Sequence, residues 1–149
     1  MLVALIAVIV LIFMATLAFH VHASRKEVLV ANPSYRPVPR PFTSSCLAEF
    51  DGVRRPEVYV SVKGTVFRVD PQWYGLGAPY HAFAGRDASR QLAKTIVGSE
   101  ECNASWLDLT GEHRAALDEW FSRFSGKYDA VGWYVPSRDF YQTASLFEP

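Results

Sequence analysis

The sequence YGLGAPYHAFAGRDASRQLA at residues 74–93 forces a change of backbone direction, because its opening cannot continue a regular helix or strand. Two glycines and a proline fall among its first six residues, and each of them disfavours a helix. The backbone therefore has to bend. This bend presents Tyr74 and Tyr80 from an irregular segment.

The second half of the same sequence predicts the start of a helix. A small apolar run ends at Gly85, where the chain is free to turn. Asp87 follows, and its short carboxylate is a suitable N-cap. We therefore expect a helix that begins at Ala88 and runs through Leu92.

These residues resemble a block that is typical of the membrane-associated progesterone receptor family, whose domain is a cytochrome b5-like haem- or steroid-binding domain. The family's block is similar to YGPGGPYxxFAGRDASRxLA, from which this chain departs only at Leu76 and Ala78. Further similarities lie in Phe42-Thr43, Leu47, Phe50-Asp51-Gly52, the hairpin at 58–69, Lys127-Tyr128 and Val131-Gly132. The resemblance covers residues 42–135, which makes it far more specific than a lone glycine motif.

The resemblance implies an α+β fold, a small cytochrome b5-like domain with a short mixed sheet and flanking short helices. This domain is expected at residues 42–135, after a single N-terminal transmembrane helix. Residues 20–41 are expected to form a proline-rich linker, which four prolines after residue 32 make semi-stiff. Residues 136–149 lack periodicity, and we interpret them as a loosely packed C-terminal tail.

The N-terminal residues 2–19 predict a membrane anchor, since they contain no charged side chain. As a helix they would extend about 27 Å, close to the hydrocarbon thickness of a bilayer. Basic residues follow this run and none precedes it, so the charge bias places the C-terminal domain on the cytoplasmic side. The expected location is the endoplasmic reticulum or another endomembrane, with one pass through the lipid bilayer.

A cleaved signal peptide is the alternative interpretation of the N-terminus. Val21-His22-Ala23 offers small residues for cleavage before Ser24, and the protein would then be secreted, like the neudesin-like signalling branch of the family. A disulfide between the two cysteines and a glycan on Asn103 would matter only in that compartment. The absence of a basic segment before the apolar run favours the anchor.

Local patterns predict a short helix, a hairpin and a closing strand. Thr43 or Ser44 can cap a helix that continues through Phe50. Residues 58–69 alternate around a lysine-glycine turn and predict two paired strands. Residues 128–135 are rich in aromatic and β-branched side chains, which favours a final strand.

The clearest helical pattern follows Thr110, which we expect to cap the helix. Its apolar face is formed at i, i+3, i+4 and i+7 by Leu117, Trp120, Phe121 and Phe124. Arg123 is assigned to another face, and Ser125-Gly126 is expected to end the helix. We interpret Trp120 and Phe121 as core residues, with a role in a ligand pocket as the alternative.

The resemblance assigns haem-binding roles in a slot, an apolar crevice expected between the sheet and the short helices. Tyr80 is implied to be the axial ligand of the haem iron through its phenolate, and Tyr74 to be a second tyrosine near the haem. Lys127 and Tyr128 are implied to hydrogen-bond around the ligand and its propionates, and Asp87 to support the site. The implied cofactor is non-covalently bound haem b.

Two histidines provide an alternative ligand set, since classical cytochrome b5 relatives bind haem through two histidines. No HPGG-type loop surrounds His81, and His113 lies in the first turn of a helix, so we expect both to be exposed. The chain also departs from the family pattern at Arg68, where aspartate is usual, and in a shorter segment before Tyr74. We expect these departures and Ala78 to affect the lip of the slot.

Composition narrows the classes of function. Lysine plus arginine equals aspartate plus glutamate at 15 each, so no electrostatic argument favours a nucleic-acid partner. No hydrolase triad, zinc-protease motif or phosphate loop is present in the sequence, and we expect no enzymatic activity. The resemblance implies a partner of microsomal monooxygenases that contributes to sterol metabolism or haem handling, and a haem-dependent homodimer. A steroid- or sterol-binding receptor component that uses the slot without haem is the alternative.

Overall fold

The computed structural model describes residues 38–149, and these residues form an α+β fold around a five-stranded mixed sheet. The strands are β1 (Arg40–Thr43), β2 (Val58–Val62), β3 (Thr65–Val69), β4 (Arg86–Asp87) and β5 (Asp129–Val135). Their order across the sheet is β1-β5-β3-β2-β4. Two pairs are parallel, β1 with β5 and β2 with β4, and the other two pairs are antiparallel.

Short helices connect and cover the strands. They are α1 (Ser44–Ala48), α2 (Pro71–Tyr74), a 3₁₀ turn (His81–Phe83), α3 (Ser89–Ala93), the long α4 (Gly111–Lys127) and α5 (Phe140–Ala144). The expected mixed sheet with flanking short helices is therefore confirmed.

The N-terminal expectations fall mostly outside the described part of the chain. The anchor at residues 2–19 and most of the linker at residues 20–41 lie before residue 38. Arg40 and Pro41, which we assigned to the linker, belong to β1 and pair with β5. Within residues 38–149, none of the helices is both long enough and apolar enough to span a bilayer.

The predicted hairpin is confirmed as β2 and β3, and the structure buries it on both faces. Val60 packs in the core cluster that contains the α4 residue Leu117, whereas Tyr59 packs in a second cluster around Phe42. Because side chains alternate across a strand, these two clusters lie on opposite faces of the sheet. All five residues of β2 are consequently buried.

Two predicted helix boundaries differ from the structure because the backbone at these positions forms hydrogen bonds with β2. The first helix ends at Ala48 rather than Phe50, since the Phe50 carbonyl accepts a hydrogen bond from the Tyr59 N–H at 2.9 Å. The helix expected at Ala88 begins one residue later, since the Ala88 N–H donates to the Ser61 carbonyl at 2.9 Å.

The long helix α4 begins after Thr110, as expected, although the Thr110 side chain makes no capping hydrogen bond, and it does not end at Ser125-Gly126. It continues to Lys127, and the Tyr128 N–H closes the last turn by donating to the Phe124 carbonyl at 2.8 Å. A glycine costs a helix only about 1 kcal/mol relative to alanine, which packing of the apolar face can offset.

The expectation of a loosely packed tail at residues 136–149 is wrong. The helix α5 forms there, and Phe140 is 1% exposed. Its ring packs against Trp106 and Tyr134 at centroid distances of 5.3 and 6.0 Å. The side chains that bury Phe140 come from other parts of the chain, so the local sequence pattern could not predict this burial.

Gly132 allows the close approach of β1 to β5, and its replacement by alanine should destabilise the fold. A Cβ at this position would lie 1.9 Å from the Arg40 carbonyl oxygen. Since backbone has to shift, we expect Gly132→Ala to lower the free energy of unfolding by about 3 kcal/mol, measured by urea denaturation.

Gly126→Ala is the matched control, because a Cβ there meets no other atom within 4 Å. We expect this change to leave stability unchanged or to raise it by up to about 1 kcal/mol. Equal stability of the Gly132→Ala protein and the wild type would contradict the packing of β1 against β5.

Candidate functional site

A cavity of about 550 Å³ lies beside α2, α3 and α4. This volume is within the range of about 300–1,000 Å³ that small-molecule sites occupy. The lining is mostly apolar or aromatic: Trp73, Tyr74, Tyr80, Phe83, Gln91, Leu92, Thr95, Ile96, Val97, Trp120, Arg123, Phe124, Lys127 and Tyr128. Tyr74, Tyr80, Lys127 and Tyr128, four of the five predicted site residues, therefore share one cavity.

Three tyrosines contribute phenol groups to this cavity. The ring of Tyr74 lies 5.6 Å from that of Tyr80 and 6.2 Å from that of Tyr128. Tyr74 is 6% exposed, whereas Tyr80 and Tyr128 are half-buried. Burial raises the pKa of Tyr74, and the neighbouring phenols add to the rise, so Tyr74 is a neutral phenol at physiological pH.

The bend predicted from the glycines and proline positions Tyr80. Gly77 has φ of +78°, a conformation that glycine adopts without strain. The Tyr80 N–H then donates to the Trp73 carbonyl at 3.0 Å, which holds the two ends of the bend together. The Tyr80 ring stacks nearly parallel to Phe83 at 6.3 Å. The tyrosine side chain is thus directed by backbone hydrogen bonds and by an aromatic neighbour.

One face of α4 forms a wall of the cavity, with Trp120, Arg123, Phe124 and Lys127 at i, i+3, i+4 and i+7. Arg123 lies off the core face, as expected, since its side chain is 66% exposed, and it also lines the cavity. Trp120 is half-buried and both contacts the core and lines the cavity, so its interpretation as core alone is incomplete. Phe121 packs against Phe67 at 6.0 Å, as expected for a core residue.

Asp87 lies behind the cavity and does not line it. Its carboxylate is buried and accepts hydrogen bonds from the Ser61 hydroxyl at 2.6 Å and from the Ser89 N–H at 3.2 Å. Burial raises the pKa of Asp87 to about 6, although the Ser61 hydrogen bond opposes the rise. Asp87 therefore ties the start of α3 to β2, and α3 supplies Gln91 and Leu92 to the cavity wall.

Neither histidine of the alternative ligand set lines the cavity. The His81 Nδ1 lies 3.2 Å from the Tyr74 carbonyl oxygen, which gives this ring a structural partner. Arg68 pairs with Asp129 across two strands at 3.0 Å and is also absent from the lining. Ala78 does not line the cavity either, so the effect of these two departures on the lip of the slot stays a prediction.

Sequence reasoning missed several lining residues, among them Trp73, Phe83 and the apolar pair Ile96 and Val97. Helical spacing counted back from Lys127 would have found the α4 residues of the wall. No comparable signal marks Ile96 and Val97, because they follow the end of α3 in a segment without regular structure.

The chain is similar in sequence to several characterised proteins. The cytochrome P450 regulator dap1 of Schizosaccharomyces pombe is 34% identical to this chain over 152 residues, which cover 92% of each protein. The chain belongs to the membrane-associated progesterone receptor family. Component 2 of this family in Rattus norvegicus is 37% identical over 98 residues, or 62% of this chain and 45% of that protein. Membrane steroid-binding protein 1 of Arabidopsis thaliana is 34% identical over 125 residues, or 76% of this chain and 55% of that protein.

Two solved structures share the fold of this family member. An Arabidopsis thaliana protein described as having a cytochrome b5-like fold is 32% identical, with a TM-score of 0.57 over 70% of this chain and 98% of that one. A candidate steroid-binding protein from Arabidopsis is 37% identical, with a TM-score of 0.61 over 65% of this chain and 98% of that one. No family model matches the chain. The cytochrome b5-like fold is thus confirmed.

The buried carboxylate of Asp87 should make stability depend on pH. Its pKa is raised from 3.8 to about 6, so the folded protein binds this proton more tightly than the unfolded chain does. The contribution of Asp87 to stability is therefore greatest below pH 3.8 and is lost as pH rises through about 6. Relative to Asp87→Asn, the wild type should gain about 2 kcal/mol in unfolding free energy between pH 7 and pH 4.5.

Urea denaturation of both proteins at the two pH values measures this difference. The comparison with Asp87→Asn removes the titration of all other carboxyl groups, which the two proteins share. A difference in unfolding free energy that stays constant from pH 7 to pH 4.5 would show that Asp87 does not titrate as proposed.

Proposed function

We propose that this protein binds haem in the cavity, with Tyr80 as the axial ligand, and that residues 2–19 anchor it in a membrane. The observation that carries the proposal is the position of Tyr80, half-buried at a cavity whose walls are apolar and whose rim is cationic. In this proposal the protein is not an enzyme. It supports a microsomal monooxygenase, sterol metabolism or haem handling.

The donor set at the cavity fits haem. A tyrosine phenolate is a known axial ligand of haem iron, and a nearby cation stabilises a phenolate. Tyr74 is poorly suited to that role, because burial raises the pKa of its phenol. Tyr80 is less buried and lines the same cavity, so it is the better candidate for the ligand.

The other lining residues have complementary roles in this proposal. Trp73, Phe83 and Leu92 provide apolar surface that excludes water from a flat ligand. Lys127 and Tyr128 lie at the end of α4 and would hold the propionates. When bound, haem would supply a ferric centre, and a hard anionic ligand such as a phenolate favours that oxidation state.

The partner and the location are part of the proposal. The relative dap1 is a cytochrome P450 regulator, which supports a monooxygenase as the partner of this chain. The uncharged run at residues 2–19 and the basic residues after it support a single-pass anchor in the endoplasmic reticulum or another endomembrane, with the domain in the cytoplasm.

A second candidate function is steroid or sterol binding without haem. The mostly apolar lining of the cavity favours it, together with the steroid-binding description of an Arabidopsis relative. In this case the phenols of Tyr74 and Tyr128 would donate hydrogen bonds to a steroid oxygen. The two candidate functions differ in their dependence on Tyr80.

Tyr80→Phe tests the ligand assignment. The change removes only the phenol oxygen, so we expect the purified chain to lose its high-spin ferric haem spectrum while retaining the fold. The affinity for haem should fall by more than about 100-fold, since even groups that only support a metal ligand are worth about 10–100-fold. Absorption spectroscopy during haem titration measures both effects, and circular dichroism checks the fold.

Tyr141→Phe is the matched control, because Tyr141 is 59% exposed and lies outside the cavity. It should bind haem as the wild type does. If Tyr80→Phe keeps an unchanged haem spectrum, the ligand assignment is wrong. If the wild type binds progesterone but gives no haem spectrum, and Tyr80→Phe does not alter steroid binding, the second candidate function replaces the first.

A further inference from the structure

The wall that α4 contributes to the cavity carries two cations. Arg123 and Lys127 are four residues apart, so they lie one helical turn apart on the same face, with Cβ atoms separated by about 5–6 Å. None of the cavity-lining residues is an aspartate or a glutamate. The charged side chains of this mostly apolar cavity are therefore all positive.

These two cations have few partners of their own. The Arg123 guanidinium lies 3.7 Å from the Glu119 carboxylate, and both side chains are largely exposed, which makes this a weak ion pair. Among residues 38–149, Lys127 has no carboxylate within salt-bridge distance. Both charges are thus available to a ligand.

Aromatic rings of the cavity hold the two cations at its edge. The Arg123 guanidinium carbon lies 5.4 Å from the centroid of the Trp120 ring, and the Lys127 Nζ lies 5.1 Å from that of Tyr128. Cation–π contacts of this length are favourable, and Trp120 and Tyr128 both line the cavity. The charges therefore stay beside the opening although their side chains are long.

We propose that Arg123 acts with Lys127 as a pair of carboxylate-binding groups, which makes the cavity selective for an apolar macrocycle with two carboxylates over a neutral sterol. This inference rests on the proposed function and adds Arg123 as a specificity-determining residue. The guanidinium can bind a carboxylate through two parallel hydrogen bonds, whereas the lysine ammonium acts as a point charge. A neutral sterol would bring no carboxylate to either cation.

The experiment compares the binding of ligands with and without carboxylates to the full chain. Metal-free protoporphyrin IX has two carboxylates, its dimethyl ester has none, and progesterone is a neutral steroid. Because Trp73 and Trp120 line the cavity, quenching of tryptophan fluorescence reports binding of each ligand. The use of a metal-free porphyrin makes this readout independent of Tyr80 and of iron.

Arg123→Gln should weaken binding of protoporphyrin IX by about fivefold, the upper range for a solvent-exposed charge pair. Binding of the dimethyl ester should not change. The difference between variant and wild type should disappear near 1 M salt, where the Debye length is about 3 Å. Arg123→Lys should restore part of the affinity, because it returns the charge without the guanidinium geometry.

Arg138→Gln is the matched control for net charge, since Arg138 is exposed and lies outside the cavity. It should bind all three ligands as the wild type does. The proposal is overturned if Arg123→Gln binds the porphyrin acid like the wild type, or if it weakens the acid and the ester equally. It is also overturned if the wild type does not prefer the acid.

Failure of this inference can be separated from failure of the proposed function. A wild type that gives the ferric haem spectrum but shows no effect of Arg123→Gln retains haem binding and loses only the role of Arg123. A wild type that prefers the porphyrin acid but gives no haem spectrum retains the carboxylate-binding pair and loses the iron ligand.

Discussion

The guanidinium of Arg90 is fully buried, and the positions of three segments depend on how its charge is compensated. Its nitrogens donate to the Glu101 carboxylate at 2.9 Å and to the Asp108 carboxylate at 2.6 Å. They also donate to the backbone carbonyls of Ser105 and Glu148 at 2.7 and 2.8 Å. A buried charge that loses a partner costs about 3–5 kcal/mol. The loop after α3 and the C-terminal residues must therefore both pack against Arg90 to hold α3 in position.

This constraint reaches the cavity through α3. Arg90 is followed directly by Gln91 and Leu92, which line the cavity. The same short helix therefore carries the buried charge and forms part of the cavity wall. Its first turn is held separately, because the Asp87 carboxylate joins the Ser61 hydroxyl on β2 to the Ser89 N–H. A helix of five residues has little stability of its own. The hydrogen bonds of Arg90 and Asp87 thus determine the position of the part of the cavity wall that α3 forms.

Sequence patterns predicted the elements whose causes are local. The hairpin at residues 58–69 and the start of α4 follow from alternation and helical spacing between near neighbours, and the structure contains both. The family block predicted that Tyr74 and Tyr80 lie at one site, and both line the cavity. No pattern predicted the packing of Phe140, because its partners lie elsewhere in the chain. The apolar pattern of α4 correctly left the exposed Arg123 outside the core, but it gave no sign that this side of the helix also lines the cavity.

Tyr74 and Tyr80 come from the same block, yet their surroundings give them different chemistry. Tyr74 is buried and its pKa is raised, so it serves as a neutral donor, which suits a steroid oxygen as well as a macrocycle. Apolar walls likewise accept either ligand, so the shape of the cavity does not separate them. What separates them is the less buried phenol of Tyr80 together with the positive charges of Arg123 and Lys127. A phenol oxygen and two cations that line the same cavity would suit a metal-bearing macrocycle with two carboxylates, whereas a neutral ring system would use neither feature.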